Sequence, residues 1–236
     1  MPIRGWQAAV AGSAAIVTLL VLATGIGWIA TLETRTTTYA VSAPLTRVQL
    51  DLSSGQAVIV GTDSSTLQVR RTAEYAFGHA AREHRSLAGG VLRISSHCPK
   101  VVFSSCSASY QLAVPETMAV TVRTTDGDVR VTGYRGTAAL QTGSGAVNVE
   151  AYCGFDLAAR TGSGNVHIAA ACAPQHLDVS TGSGDATAQV PPGRYQISAS
   201  SGAGRQHVSG VIRDPHAPFT LAVHSGSGSV TIGGGV

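Results

Sequence analysis

Several residue groups in this 236-residue chain have the types and spacing that chemistry would need. A hydroxyl stands three residues before a recurring glycine at Thr124, Thr142, Thr161, Thr181, Ser201 and Ser225, a column that looks like a row of nucleophiles. No histidine or carboxylate is placed to activate each one, so the expected role is to bond backbone groups that a tight turn leaves unpaired. Asp126 and Asp128 flank Gly127 and are near each other, as a glycosidase carboxylate pair must be; turn-forming aspartate is the simpler reading. Gly182-Ser183-Gly184-Asp185 matches part of a calcium-binding nonapeptide, which needs aspartate in successive turns. Here the residue after the glycine runs Asp128, Ala146, Asn165, Asp185, Arg205, Ser229, so the ladder is broken. His167 and His207 share a phase two repeats apart, ~10 Å if repeats stack in order, too far to share one metal directly. Tyr134 and Tyr152 share a phase on adjacent repeats, where wall packing is expected over a glycan platform. No catalytic residue, metal or cofactor is assigned from these groups.

The elements that position them are repeats. Ser/Thr-Gly-Ser-Gly recurs, with degenerate copies, so that the last glycines fall at Gly127, Gly145, Gly164, Gly184, Gly204 and Gly228, spaced 18, 19, 20, 20 and 24 residues. Seven residues earlier stand Val120, Ala138, Leu157, Leu177, Ile197 and Leu221; five earlier, Val122, Leu140, Ala159, Val179, Ala199 and Val223. Two later stand Val129, Val147, Val166, Ala186, Gln206 and Val230; four later, Val131, Val149, Ile168, Ala188, Val208 and Ile232. Only Gln206 among these is polar, and the positions between them are mostly polar, so each repeat reads as strand, glycine corner, strand. Glycine reaches positive φ without a Cβ clash, which permits the corner. Like residues at like phase favour a parallel β-solenoid over an antiparallel sandwich, with about six ~20-residue coils over 119–236.

Residues 45–118 read as an N-terminal β capping region. Val48, Leu50, Ser54-Gly55 and Ile59 echo the repeat once, and the charged stretch Arg70 to Arg85 reads as a solvated loop or edge. Cys153 and Cys172 occupy one phase of neighbouring coils, and in-register stacking puts their Cα atoms within disulfide reach. Cys98 and Cys106 lie close in sequence. Four cysteines allow three connectivities; Cys98–Cys106 with Cys153–Cys172 is favoured, and the spacings do not fit a zinc site.

Gly5 to Leu32 carries no charge, and Trp6 and Trp28 bracket it. At that length a helix spans the ~30 Å hydrocarbon core with an indole near each interface. Residues 1–31 are therefore expected to be a transmembrane signal anchor, N-terminus inside, with a cleavable signal peptide as the alternative. Residues 32–44, rich in threonine, read as a linker. The domain that follows is then extracytoplasmic, in a compartment that permits disulfides. A net charge of +3 without a clustered basic face argues against nucleic acid.

The chain resembles the bacterial putative-adhesin family, a domain of unknown function. The resemblance rests on Leu50-Asp51-Leu52-Ser53-Ser54-Gly55, Tyr110-Gln111-Leu112-Ala113-Val114-Pro115, the six glycine corners and Val190-Pro191-Pro192-Gly193-Arg194-Tyr195. It covers about residues 45–236, departing at Gln206 and at the long spacing before Gly228, which implies a loop around Arg213-Asp214-Pro215. It implies a membrane-anchored, extracytoplasmic β-solenoid and carries no catalytic residues. The expected function is non-enzymatic: an adhesin-like or scaffolding protein of the cell envelope, with an envelope glycan or a membrane protein as partner. Envelope-stress sensing and a polysaccharide-active β-helix enzyme are the alternatives.

Overall fold

The computed structural model describes residues 32–100 and 105–235; the segment expected to be a membrane anchor lies outside them. The described residues form strands and no helix, so none holds a helix long and apolar enough to cross a membrane. The strands are β1 (Glu33–Val41), β2 (Arg47–Ser54), β3 (Ala57–Thr62), β4 (Leu67–Tyr75), β5 (Arg82–Ala88), β6 (Val91–His97), β7 (Cys106–Pro115), β8 (Ala119–Asp126), β9 (Val129–Thr132) and β10 (Ala138–Ser144). They continue as β11 (Val147–Tyr152), β12 (Asp156–Ser163), β13 (Val166–Ala170), β14 (His176–Ser183), β15 (Ala186–Val190), β16 (Arg194–Ser201), β17 (Gln206–Ser209), β18 (Ile212–Arg213), β19 (Thr220–Ser225) and β20 (Val230–Gly234).

Period-2 alternation turns every second side chain inward, and two ten-stranded sheets share the resulting core. One sheet runs β1-β4-β7-β3-β9-β11-β13-β15-β20-β17 and the other β5-β6-β2-β8-β10-β12-β14-β19-β16-β18. Each repeat gives one strand to each sheet, and neighbours pair parallel and in register. Leu140 sits between Val122 and Ala159, and Val149 between Val131 and Ile168. The architecture is thus all-β, parallel-rich and solenoid-like.

The glycine corners obey a tighter constraint than a bend. Gly145, Gly164 and Gly184 have φ of +137°, +138° and +133°, whereas Gly204 and Gly228 lie outside the left-handed region. Yet a Cβ on any of them would overlap the carbonyl of the glycine one coil away: Gly164 meets Gly145, Gly228 meets Gly184, and Gly204 meets Gly228. The missing side chain is the space into which the next backbone packs. Gly164→Ala combines that overlap with a strained φ, so we expect it to lower unfolding free energy by about 1–3 kcal/mol, read by urea denaturation. Gly133→Ala, with an open surround but φ +61°, separates the φ cost from the packing cost.

Four features differ from the sequence reading. First, β2 and β3 form a full seventh coil, with Val48 and Leu50 paired to Val120 and Val122, and Ala57 and Ile59 to Val129 and Val131. β6 and β7 add a further parallel layer beside them, and there the Cys98–Cys106 bond (Cα–Cα 5.8 Å) closes the corner that lacks a glycine turn. Secondly, the expected linker is largely strand β1, antiparallel to β4 from Glu33↔Tyr75 to Val41↔Leu67. Its threonines and their β-branched stems favour strand pairing when an edge is offered. Thirdly, Arg70–Arg85 is not a loop but, in part, an edge: it comprises most of β4, a turn and the start of β5, the outermost strand of its sheet.

The fourth difference is the order of the last coils. β16–β17 skip one position, and β19–β20 return to fill it, pairing with β14 and β16 in one sheet and with β15 and β17 in the other. The final coil of the sequence is therefore interior, and the Gly204 coil is terminal. This explains Gln206. It occupies a core phase at the open end, and its amide, oriented to suit its neighbours, donates to Ala199 O (3.1 Å) and accepts from Ser201 N (3.2 Å). The extra residues before Gly228 carry the chain through β18 and the turn at Asp214–Ala217 on its way back.

Candidate binding surface

The hydroxyl column is buried at Thr124, Thr142, Thr161, Thr181 and Ser225 and half-buried at Ser201, on the terminal coil. Thr142 Oγ1 donates to Gly127 O (3.0 Å), Thr161 Oγ1 to Gly145 O (2.9 Å) and Thr181 Oγ1 to Gly164 O (2.9 Å). Ser225 and Ser201 continue the ladder to Gly184 O and Gly228 O, both at 2.8 Å, in the order of the coils in space. These hydroxyls tie coil to coil, each donating its proton to a neighbouring coil's carbonyl. The position after the glycine plays the matching part outside. Asp128 Oδ1 accepts from Ala146 N (2.8 Å), Asn165 Oδ1 from Asp185 N (2.9 Å) and Asp185 Oδ1 from Ser229 N (2.8 Å). Asp126 accepts from the Ser144 hydroxyl. The carboxylates considered for glycoside cleavage or calcium thus serve as acceptors for the adjacent coil. Among the described residues no group of His, Cys, Asp and Glu is arranged to hold a metal. His167 and His207 lie three strands apart, on β13 and β17, about 14 Å, further than sequential stacking implies.

Cys153 and Cys172 are bonded across neighbouring coils (Cα–Cα 4.7 Å), so both cysteine pairs are joined and no thiol is free. Tyr134 and Tyr152 are buried in the wall opposite the glycine corners and offer no platform. The Tyr134 hydroxyl donates to Met118 O, and that of Tyr152 to Asp156 O (2.7 Å) and Gly136 O (2.9 Å). Burial raises the pKa of both well above the ordinary tyrosine value. In Tyr110, burial, reinforced by the Glu83 carboxylate, pushes it up to about 12. A raised native pKa means that the folded chain keeps protons that the unfolded chain releases near pH 10, so stability is full below that and falls as pH rises toward 12. Melting temperature should decline through this window, with tyrosinate absorbance appearing together with unfolding; tyrosines that ionise in the native state near pH 10 would contradict it.

At the capping end, Glu83 enters a network that sequence reading missed. Its carboxylate lies 3.1 Å from Arg71 Nε and 2.5 Å from Arg85 Nε, and accepts from Tyr110 Oη (2.9 Å) and Tyr39 Oη (3.4 Å). The Arg71 Nε contact is ionic only, because the N–H makes no hydrogen bond; Arg71 Nη2 donates instead to Ala81 O (2.6 Å). The Arg85 guanidinium stacks 4.0 Å over the Tyr39 ring. Strands β1, β4, β5 and β7 meet at this one carboxylate. Opposite charges within the Arg70–Arg85 stretch were the only sequence signal.

Outward-facing residues form polar rows across each sheet. On one sheet β4, β7, β3 and β9 align Arg70, Gln111, Val58 and Arg130; on the other β2, β8, β10 and β12 align Asp51, Arg123, Gln141 and Arg160. Arg70 and Gln111 line two open depressions of about 310 Å³ each. Arg123 and Gln141 line a cleft of about 400 Å³ with Asp51, Ser53, His97 and Thr125, and a smaller one with Arg160. Arg160 is held by Asp178 at 2.5 Å. Each face therefore presents a guanidinium beside a carboxamide, donors and acceptors suited to hydroxyl and carboxylate groups. Ser200 Oγ and His224 Nδ1, 2.8 Å apart, make the one hydroxyl–imidazole contact among the described hydrogen bonds. The pair is exposed, and among the described hydrogen bonds none joins the ring to a carboxylate that would orient it.

A putative adhesin from Bacteroides fragilis shares this fold, with a TM-score of 0.53 at 10% identity over 84% of this chain and 97% of that one. A putative cell adhesion protein from Clostridium sporogenes aligns over 86% of this chain and all of that one, at 10% identity and a TM-score of 0.47. No curated protein matches the chain. The family model described as Toastrack DUF4097 matches residues 57–233, about three quarters of the sequence, from the first glycine-cornered coil to the inserted last one. On that match the chain belongs to the Toastrack DUF4097 family.

Proposed function

We propose that this chain is a non-enzymatic, adhesin-like or scaffolding protein of the bacterial envelope, held to the membrane by the stretch from Gly5 to Leu32, with its N-terminus inside and its rack outside. One observation carries the reading. The turn hydroxyls and the carboxylates beside the glycine corners are engaged in holding coils together, whereas the outer faces present guanidinium, carboxamide and hydroxyl groups at strand spacing over open clefts. Such faces suit an extended, hydroxyl- and carboxylate-rich polymer better than a small substrate. The two disulfides support an oxidising location, and the description of the Bacteroides fragilis neighbour supports adhesion.

The test is binding of the full chain, in detergent or nanodiscs, to a panel of envelope polysaccharides and to membrane proteins by crosslinking. Arg123→Ala with Gln141→Ala, and Arg70→Ala with Gln111→Ala, are surface changes expected to weaken glycan binding about tenfold at the face concerned, equivalent to ~1.4 kcal/mol. Binding to none of these partners, or turnover of a polysaccharide, would overturn the proposal.

A further inference from the structure

The β4–β5 turn carries a phenylalanine where its backbone favours glycine. Phe77 has φ +57° and Gly78 φ +71°, and His79 N donates back to Ala76 O at 3.1 Å. Two successive left-handed residues close a turn of the I′ class, usually filled by Asn, Asp or Gly. A bulky side chain there is a genuine outlier. The residue nevertheless stays 40% exposed, so part of this large apolar side chain is left to solvent. An exposed ring kept at a strained position points to something outside the domain that the ring contacts.

Its place in the fold identifies that partner. β1 is paired with β4 along its whole length, with Glu33 opposite Tyr75, so the turn lies beside Leu32, which is 70% exposed. Leu32 ends the charge-free stretch that began at Gly5, and β1 starts at the next residue. No slack separates that stretch from the rack. Leu32, Tyr75 and Phe77 thus gather on the edge where the chain enters, and aromatic side chains on apolar stems favour the membrane–water interface. We propose that the β4–β5 turn is a membrane-contact foot: Phe77 seats in the interfacial layer of the bilayer, with Leu32 and Tyr75 beside it, and the rack is held in one orientation over the lipid. This rests on reading Gly5–Leu32 as a membrane anchor.

The full chain is reconstituted into phosphatidylcholine–phosphatidylglycerol vesicles with an environment-sensitive fluorophore on Phe77→Cys, on His79→Cys, or on Phe155→Cys in the β11–β12 connection at the middle of the stack. Labels at positions 77 and 79 should shift to the blue and be quenched by lipids brominated high on the acyl chain. The label at 155 should keep its aqueous emission. Adding Phe77→Gly to the His79→Cys chain should weaken quenching while raising the melting temperature, since glycine relieves the turn. Trp6 and Trp28 emission is read in the same vesicles. If brominated lipid quenches the tryptophans while positions 77 and 79 stay aqueous, the foot is refuted and the anchor survives. Equal quenching at 155 refutes the foot as well. Unquenched tryptophans refute both the anchor and the foot.

Discussion

Truncating the chain before Phe219 will abolish cooperative folding, although it removes only the last repeat of the sequence. In a solenoid stacked in sequence order this deletion trims one end coil and shortens the array. Here β19 and β20 each pair on both sides, so removal opens a slot between the Gly184 and Gly204 coils. Leu221, Val223, Val230 and Ile232 are all buried. At ~1.5–3 kcal/mol per buried side chain they contribute about 6–12 kcal/mol of gross burial, as much as a typical domain's whole stability of about 5–15 kcal/mol. The loss also strands β16, β17 and β18 from the core. Thermal melts by circular dichroism and size-exclusion chromatography check this. A truncated chain that stays monodisperse, with a sharp melt near that of the full chain, would show that the last coil is not interior.

Glu83→Ala is expected to cost about 3–5 kcal/mol, the range for removing one partner of a buried ion pair. The Glu83 side chain is 9% exposed and that of Arg71 13%, so water cannot replace the lost carboxylate around Arg71. Two tyrosine hydroxyls lose their acceptor in the same step. Because Tyr39 belongs to β1, the damage should spread to that strand: limited proteolysis should cut within Glu33–Val41 in the variant and not in the parent. Glu83→Gln keeps an acceptor for Tyr110 but no charge for Arg71, and should fall between the two. Urea denaturation giving a loss below about 1 kcal/mol for Glu83→Ala would mean that the network is solvated and weak, as surface ion pairs are.

The repeat was legible because its signal is local and periodic. Leu157, Ala159, Val166 and Ile168 around Gly164 show their inward phase without reference to any other coil, and Cys153 and Cys172 mark neighbours directly. β1 was not legible, since Glu33 to Thr38 shows no apolar alternation and the strand exists only because β4 offers an edge. The candidate surface was partly legible. Arg123, Gln141 and Arg160 were readable as outward positions of the repeat, and Gln111 from the alternation of Tyr110, Leu112 and Val114, but its pairing with Arg70 was not, because β4 and β7 belong to no glycine repeat. The Glu83 network was hidden because its members come from four strands and lie up to 44 residues from Glu83 in sequence.

What the sequence determined by itself is the unit: a strand, a glycine corner and a strand with one face apolar, repeated until a core closes. Side-chain alternation and glycine's missing Cβ are properties of single residues and near neighbours, so they can be read from one chain. What only the tertiary structure decided is the order of the units and how the stack ends. Every coil offers the same apolar faces and the same backbone edge, so local chemistry lets the Gly228 coil pair equally well beyond Gly204 or within the slot before it. The choice falls on the interior slot, where the well-packed Leu221 and Ile232 are covered on both sides, while the coil carrying Gln206 takes the exposed end.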